Sequence, residues 1–538
     1  MKNFIPKVTA FLFLCLFTST TKAQTWQWAT KAGGIESDFA TGIDVDDNGE
    51  SYITGSFYNA ISFGSTTLTN PGLWSVYIAK YDVDGNLVWA KIAASDSSIG
   101  VAGICIDNSG HVSIVGQFSG SGHFGDTNPI GLVSTGDFDV FVATYDNTGT
   151  IKWAKSAGGS GVDYAGGIST DYHGNVFITG DFHASSFPLS SSKIFIAKYD
   201  SVGNCPWFKF SQAYGNFHYG MGIKTDATGN SYITGQFFGT LIFDSSVLDA
   251  GNPEANIFIA KFDAGGNTVW TQKAGAASGY AGGSAIAIDN MGSAYITGFF
   301  KGTIAFSALS LTGSPGSYYE CFIAKCDANG NFLWVNKAVG PGPGMGISTD
   351  DDGNCYVSGY FTDAIAFGPI SLTNTGSKDI FIAKENTSGE FVWAMQCGGL
   401  SDDNIGGIKV NSLGIFLTGN FIGTINFGSS VSLTADSINQ YDIFLARISG
   451  ITGIDEGGNY FSRIFLFPNP VADEIQLKGF SGEMKYIIYD ETGKVMSHGI
   501  TIGTTKISVE NLGSGIYFIQ IGANGDSRKS RQIKFIKN

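Results

Sequence analysis

The residues best placed to do chemistry are aspartates at a fixed spacing. Asp-x-x-Gly recurs at Asp46, Asp107, Asp171, Asp226, Asp289 and Asp350, with Asn411 in the next equivalent place. A second series runs through Asp82, Asp146, Asp200, Asp263 and Asp327, with Asn386 following. In Asp44-x-Asp46-x-Asn48-Gly49, oxygen ligands at alternate positions would suit calcium, but the downstream position that needs a bidentate Glu holds Gly55. The preferred chemistry is that of a turn. Asp or Asn bonds its own backbone a little further on, and Gly takes the left-handed position that closes a short hairpin. The sequence therefore predicts no cofactor, with calcium as the alternative.

Catalytic patterns are sparse. His111, His123, His173, His183, His218 and His498 include no HExxH pair, and neither a GxSxG elbow nor a Walker loop is present. Asp38, Asp163, Asp402 and Asp403 fall between strand signals. Paired carboxylates there would suit glycoside hydrolysis or elimination, while their expected role is surface acid. Aromatic residues stand out more. Tyr58, Trp74, Tyr164, Tyr219, Tyr280, Tyr318 and Tyr319 are the candidate ligand-binding residues, with Tyr214 and Phe217 nearby. Their faces suit stacking on sugar rings or contact with another protein.

The elements that must position these residues repeat. Ile-Thr-Gly-x-Phe and its variants carry glycines at Gly55, Gly116, Gly180, Gly235, Gly298, Gly359 and Gly419, a period of about 60 in seven copies. Each copy carries four strand signals: a small-residue strand, the Ile-Thr-Gly-x-Phe strand, a strand such as Ile194–Tyr199, and one holding Trp89, Trp153, Trp207, Trp270, Trp334 or Trp393. Runs of β-branched and aromatic residues bounded by Gly, Asn and Asp are strand grammar, and none has helical period. The chain is read as all-β. Four strands repeated radially predict a seven-bladed β-propeller over 24–449. The seventh copy runs out after Ile443–Ile448 without a tryptophan strand, and Trp28-Ala29-Thr30-Lys31 supplies the missing match. The N-terminal strand is therefore expected to close the last blade. Alternation puts the Asp-x-x-Gly turns on one face. Long variable loops, among them 58–75, 119–139, 183–193, 238–256, 301–320, 362–379 and 422–442, lie on the other, where binding is expected. Lys80, Lys198, Lys261, Lys325 and Lys384 recur in strand three and read as structural.

Composition narrows the function. The net charge is −15 and the stretch from Phe461 onward is basic, so the acid is concentrated in the repeats. That disfavours nucleic acid and anionic membrane surfaces. Beyond Cys15, the cysteines Cys105, Cys205, Cys321, Cys326, Cys355 and Cys397 show neither a disulfide framework nor a metal-type pair. Residues 1–23 have the basic start, apolar run and small-residue end of a secretory signal peptide, and no stretch suits a transmembrane helix.

The repeats resemble the SBBP family of bacterial propeller repeats, which implies the fold and no shared catalytic set. Residues 450–460 have linker composition. From there the period is lost, and about seven short alternating strands over 461–538 read as a small β-sandwich. Pro468-Asn469-Pro470, the Tyr-Asp-x-x-Gly-Lys hairpin with Gly493 and Lys494, and the Leu-x-x-Gly-Ile-Tyr-Phe strand with Gly515 and Tyr517 resemble the type A C-terminal sorting domain of the type IX secretion system of Bacteroidetes. That resemblance implies export through the periplasm to the medium or the outer cell surface, with the secretion machinery as a partner of 461–538. The basic tail of Arg528, Lys529, Arg531, Lys534 and Lys537 either docks on that machinery or is solvated. The sequence thus points to a secreted or surface-displayed, non-catalytic module that binds glycan or protein. An extracellular carbohydrate-active enzyme, a hydrolase or lyase, is the alternative, and a purely structural surface-layer component is a third reading.

Overall fold

The structure, a computed structural model, describes residues 24–449 except 127, 184–191, 215–216, 252–253, 276–278 and 317. Further on it describes 465–467, 471, 473–478, 483–490, 493–502, 506–522 and 530–537. The leader at 1–23, the linker at 450–460 and Pro468-Asn469-Pro470 lie outside the described residues. The chain divides into one compact unit spanning Gln24–Ile451 and another that takes in the chain from Thr452. Every regular element among the described residues is a β-strand.

In the first unit each repeat builds an antiparallel sheet. The second sheet has the order Ser98–Ile106, Val112–Ser119, Asp139–Tyr145, Ile151–Ala157, and the others follow the same scheme. The register is set locally. Asp46, Asp107 and the equivalent aspartates each accept backbone N–H groups two and four residues ahead, as when Asp107 Oδ1 accepts from Ser109 and His111, while Asn411 accepts from Leu413 alone two residues ahead. The glycine of the turn is left-handed, as at Gly49 and Gly110. This is turn chemistry, with the carboxylate spent on its own backbone. The last sheet is assembled from both ends of the unit. Trp26–Ala32 pairs antiparallel with Asp442–Ser449, placing Trp28 opposite Arg447 and Lys31 opposite Phe444.

Neighbouring sheets pack through small residues in their first strands. Gly42 lies against Ile104, Gly103 against Ile168, Gly167 against Ile223, Gly222 against Ile286, Gly346 against Ile408 and Gly407 against Ile43. Tyr280–Ile288 packs beside Gly344–Thr349. The last of these contacts returns to the first sheet. At the outer strands, five tryptophans reach the following sheet and donate the indole N–H to the second turn there. Trp89 donates to Asn147 O, Trp153 to Ser201 O, Trp207 to Ala264 O, Trp270 to Ala328 O and Trp334 to Thr387 O, all at 3.0–3.2 Å. The strand-three lysines snorkel over rings of strand two, with Lys80 over Tyr52 at 5.2 Å and Lys325 over Tyr295 at 4.6 Å.

One expectation is overturned. Apart from 183–193, of which 184–191 lie outside the described residues, the stretches read as long variable loops are largely hairpins. Thr240–Phe243 pairs with Ser246–Asp249, Thr303–Phe306 with Leu309–Thr312, and Thr424–Phe427 with Val431–Thr434. Their alternating apolar residues, such as Ile304, Phe306, Ile425 and Phe427, are fully buried. They bridge to the preceding repeat at Gly275–Ala305, Val339–Ala366 and Gly398–Asn426, and Gly33–Ser62 makes the equivalent bridge between the last sheet and the first. Burying such a face is what keeps these short strands paired.

The second unit has two sheets. Phe465–Phe467, Glu474–Lys478 and Lys506–Ser508 form one, and Val495–Ile502, Glu483–Asp490, Gly515–Gly522 and Ser530–Lys537 the other. Ile475, Leu477, Ile488, Ile507, Ile519 and Phe535 share one core. Gly493 and Lys494 close a turn in which Asp490 Oδ1 accepts from Lys494 N–H. Tyr517 stacks on Phe535 and donates its hydroxyl to Gly513 O at 2.9 Å.

Candidate functional site

Tyr164, Tyr219, Tyr280, Tyr318 and Tyr319 lie at or beyond strand ends opposite the Asp-x-x-Gly turns, while Tyr58 and Trp74 pair with each other inside the longer strands Ser51–Phe63 and Thr66–Tyr81. They fall into separate groups. Trp74 has Tyr58 at 5.6 Å and Phe39 at 5.9 Å, and Phe39 meets Tyr441 of the last repeat at 5.3 Å. Tyr164 stacks on Phe138 of the preceding repeat and has the His183 ring at 6.3 Å. Tyr219 stacks on Phe217. Tyr280 and Tyr319 are 5.8 Å apart and share Phe299, while Phe238 of the preceding repeat flanks Tyr280. Tyr318 stands beside them. Trp74, Tyr164, Tyr318 and Tyr319 keep 36–42% of their surface exposed, so these are partly open walls rather than core.

Sequence reasoning missed Phe39, Phe138, Phe299, Tyr360 and Tyr441. A positional signal was available, because the residue just before strand three is Phe138, Tyr319 or Tyr441 in three of the repeats, and Trp74 holds the equivalent place inside the longer strand Thr66–Tyr81. The sixth repeat has Lys378 there. Its ammonium lies over the Tyr360 ring at 5.2 Å and pairs with Asp402 at 3.3 Å; a hydrogen bond from Ser377, aided by the Lys378 charge, holds the Asp402 carboxyl below the usual carboxylate range.

The carboxylates correct a second expectation. Asp38, Asp163 and Asp403 are fully buried, not surface acid. Each opens the first strand of its sheet and stands near the acid that opens strand three of the preceding repeat, Asp442, Asp139 or Asp379 respectively. Asp163 accepts from Gly159 N–H at 2.8 Å and His183 N–H at 2.9 Å, and Asp403 accepts from Gly399 N–H at 2.7 Å. Asp139 and Asp379 accept from the N–H of Thr135 and Thr375. These pairs tie down loop backbone where two sheets meet. Burial, with Asp442 adding its charge, pushes Asp38 up to about 9, and burial pushes Asp403 up to about 8. Asp181, also buried, is raised to about 8. Sealed from solvent, such pairs do not meet a sugar. Among the described residues no three His, Cys, Asp or Glu side chains converge as metal ligands.

Comparisons with known proteins speak most clearly for the C-terminal unit. Residues 465–537 match the family described as the secretion system C-terminal sorting domain. The chain thus carries a type IX sorting domain, is handled by the type IX secretion machinery and is exported to the cell surface. No helix among the described residues is long and apolar enough to cross a membrane. An uncharacterized WD repeat-containing protein of Acanthamoeba polyphaga mimivirus is 24% identical over 69% of this chain, and the chain spans only 34% of that relative's length. Among solved structures, PorZ, a surface component of the type IX secretion system of Porphyromonas gingivalis, is 11% identical, with 93% of this chain and 81% of PorZ covered and a TM-score of 0.23. Prolyl oligopeptidase B from Galerina marginata is 9% identical, with 91% and 56% covered and a TM-score of 0.38. Likenesses this distant carry no argument about activity.

Proposed function

We propose that residues 24–449 form a seven-bladed β-propeller of the SBBP repeat type, closed by its N-terminal strand, which binds a glycan or protein ligand at the cell surface without transforming it. Residues 1–23 would be a removed leader, 450–460 a linker and 461–538 the sorting domain. The observation that carries this reading is the set of half-exposed aromatic groups at sheet junctions, Tyr58–Trp74–Phe39–Tyr441 and Tyr280–Tyr319–Phe299 above all. Rigid rings held by neighbours lose little conformational freedom on binding and stack on sugar or peptide faces. The burial of the paired carboxylates weighs against a hydrolase or lyase at those positions.

The test is a screen of the purified protein on polysaccharide arrays and against surface proteins, with and without calcium, alongside Trp74→Ala and Tyr319→Ala. Binding without product that weakens about tenfold in either variant supports the reading. New reducing or unsaturated sugar ends would make the protein an enzyme. Binding unchanged in both variants would move the site elsewhere.

A further inference from the structure

The first strands of all seven sheets line one cavity of about 200 Å³, walled by Ile43, Ile104, Ile168, Ile223, Ile286, Ile347 and Ile408, each with the glycine or, at Ala285, the alanine before it. The residue after each isoleucine varies: Asp44, Cys105, Ser169, Lys224, Ala287, Ser348 and Lys409. This next layer contains two ammonium groups and one carboxylate, in a protein whose net charge is −15. Lys409 is occupied, because its ammonium meets Asp44 Oδ1 at 2.7 Å. Asp44 is occupied twice over, since its Oδ2 also accepts from Ile106 N–H at 3.0 Å. Burial opposes the Asp44 charge, yet Lys409 holds its carboxyl below the usual range.

Lys224 comes from a sheet three places round from Asp44 and, among the described residues, has neither an ion pair nor a hydrogen bond. The like charge of Lys409 and then burial push its ammonium down to about 8, and Asp44 and Cys105 only partly offset them. The hydroxyls nearby add donors. Ser169 Oγ accepts from Thr225 N–H and Ser348 Oγ from Val410 N–H, both at 3.1 Å, so each still has its own proton to give. A channel end with one ammonium in excess of its carboxylate and further donors in the same layer suits an anion.

We propose that this end of the channel binds a small oxyanion, a phosphate or a carboxylate, through Lys224 with Lys409 beside it. It is a site distinct from the aromatic face. An anion there neutralises the excess charge and accepts from an ammonium to which the described residues offer no acceptor.

The test is calorimetric titration of the full-length protein with inorganic phosphate and with acetate at constant ionic strength in chloride. The expected result is saturable one-site binding of at least one of them, weakened about tenfold or more in Lys224→Met and kept within about threefold in Lys224→Arg. Phosphate alone assigns the site to a tetrahedral oxyanion, and equal binding of acetate assigns it to a carboxylate. Affinity should fall as pH rises past 8, as Lys224 loses its proton while Lys409 stays paired with Asp44. Absence of saturable binding by both anions, or binding that Lys224→Met leaves unchanged, overturns the proposal. Lys224→Arg keeps the test meaningful should the methionine variant fold poorly.

Discussion

Trp28 donates its indole N–H to the carbonyl oxygen of Val83 at 3.2 Å, and the two residues belong to the last and the first sheet. It is the same bond that joins every other successive pair for which a tryptophan and a following turn are both present. Arg447, opposite Trp28 in the register, donates to the same oxygen at 3.1 Å. The turn glycine Gly85 lies flat on the indole, where a Cβ would stand 2.8 Å from a ring carbon, and its φ is +83°. Trp28→Ala should therefore cost about 2–4 kcal/mol, chiefly through lost packing, since Arg447 still donates to the Val83 carbonyl. Gly85→Ala should cost about 1–3 kcal/mol through clash and left-handed backbone. Denaturant midpoints at constant m-value measure both. Changes below about 0.5 kcal/mol would mean that this junction bears no stability.

Acidity should stabilise the fold down to about pH 5. Asp38, raised to about 9, and Asp181, Asp403 and Glu385, raised to about 8, are all buried. A carboxyl whose folded pKa is raised contributes stability that is fully present below its unfolded value near 4 and is lost as pH climbs through the folded value. The limiting slope is about 1.4 kcal/mol per pH unit for each group. Melting temperature should fall from pH 5 to pH 9, and Asp403→Asn should flatten part of that fall. A melting temperature that rises over the same range would contradict the burial of these groups in neutral form.

The hairpins beyond strand two should behave as core. Phe306 packs on Phe322 at 5.6 Å and Phe332 at 5.2 Å and is fully buried, whereas Val247 on another hairpin is 61% exposed. Phe306→Ala should cost about 3–5 kcal/mol and Val247→Ala less than about 0.5 kcal/mol. Equal costs in chemical denaturation would return these segments to the status of surface loops.

Removal of 465–538 should abolish display at the cell surface without unfolding the repeats, because the two units have separate cores. Antibody labelling of intact cells against labelling of lysates measures this. Surface labelling undiminished in the truncated protein would contradict sorting by this domain.

The repeat, its turns and the pairing of Trp26–Ala32 with the last sheet were legible because each is a local rule written several times over. Asp-x-x-Gly makes its own turn, and a tryptophan strand missing at one end can be sought at the other. The hairpins were not legible. Strands of three or four residues, such as Ile365–Phe367, give too short an alternation to separate from loop, and only burial against neighbouring repeats keeps them paired. The buried carboxylates were missed for a related reason. An aspartate at a strand start looks like surface until the loops it caps are in place. Asp44, Lys224 and Lys409 come from repeats one, four and seven, and nothing in their spacing announces that Lys409 pairs with Asp44 or that Lys224 shares their layer.

The proposed closure of the first unit by its own N-terminal strand, which pairs with Asp442–Ser449, underlies the face, the junction carboxylates and the channel alike. Amide hydrogen exchange over 24–32 in the full-length protein tests it most directly. The paired register of Trp26–Ala32 with Ile443–Ile448 predicts protection on the timescale of Asp442–Ser449, orders of magnitude slower than an unstructured peptide. Exchange at the free-peptide rate, with 442–449 equally exposed along its outer edge, would contradict a closed ring.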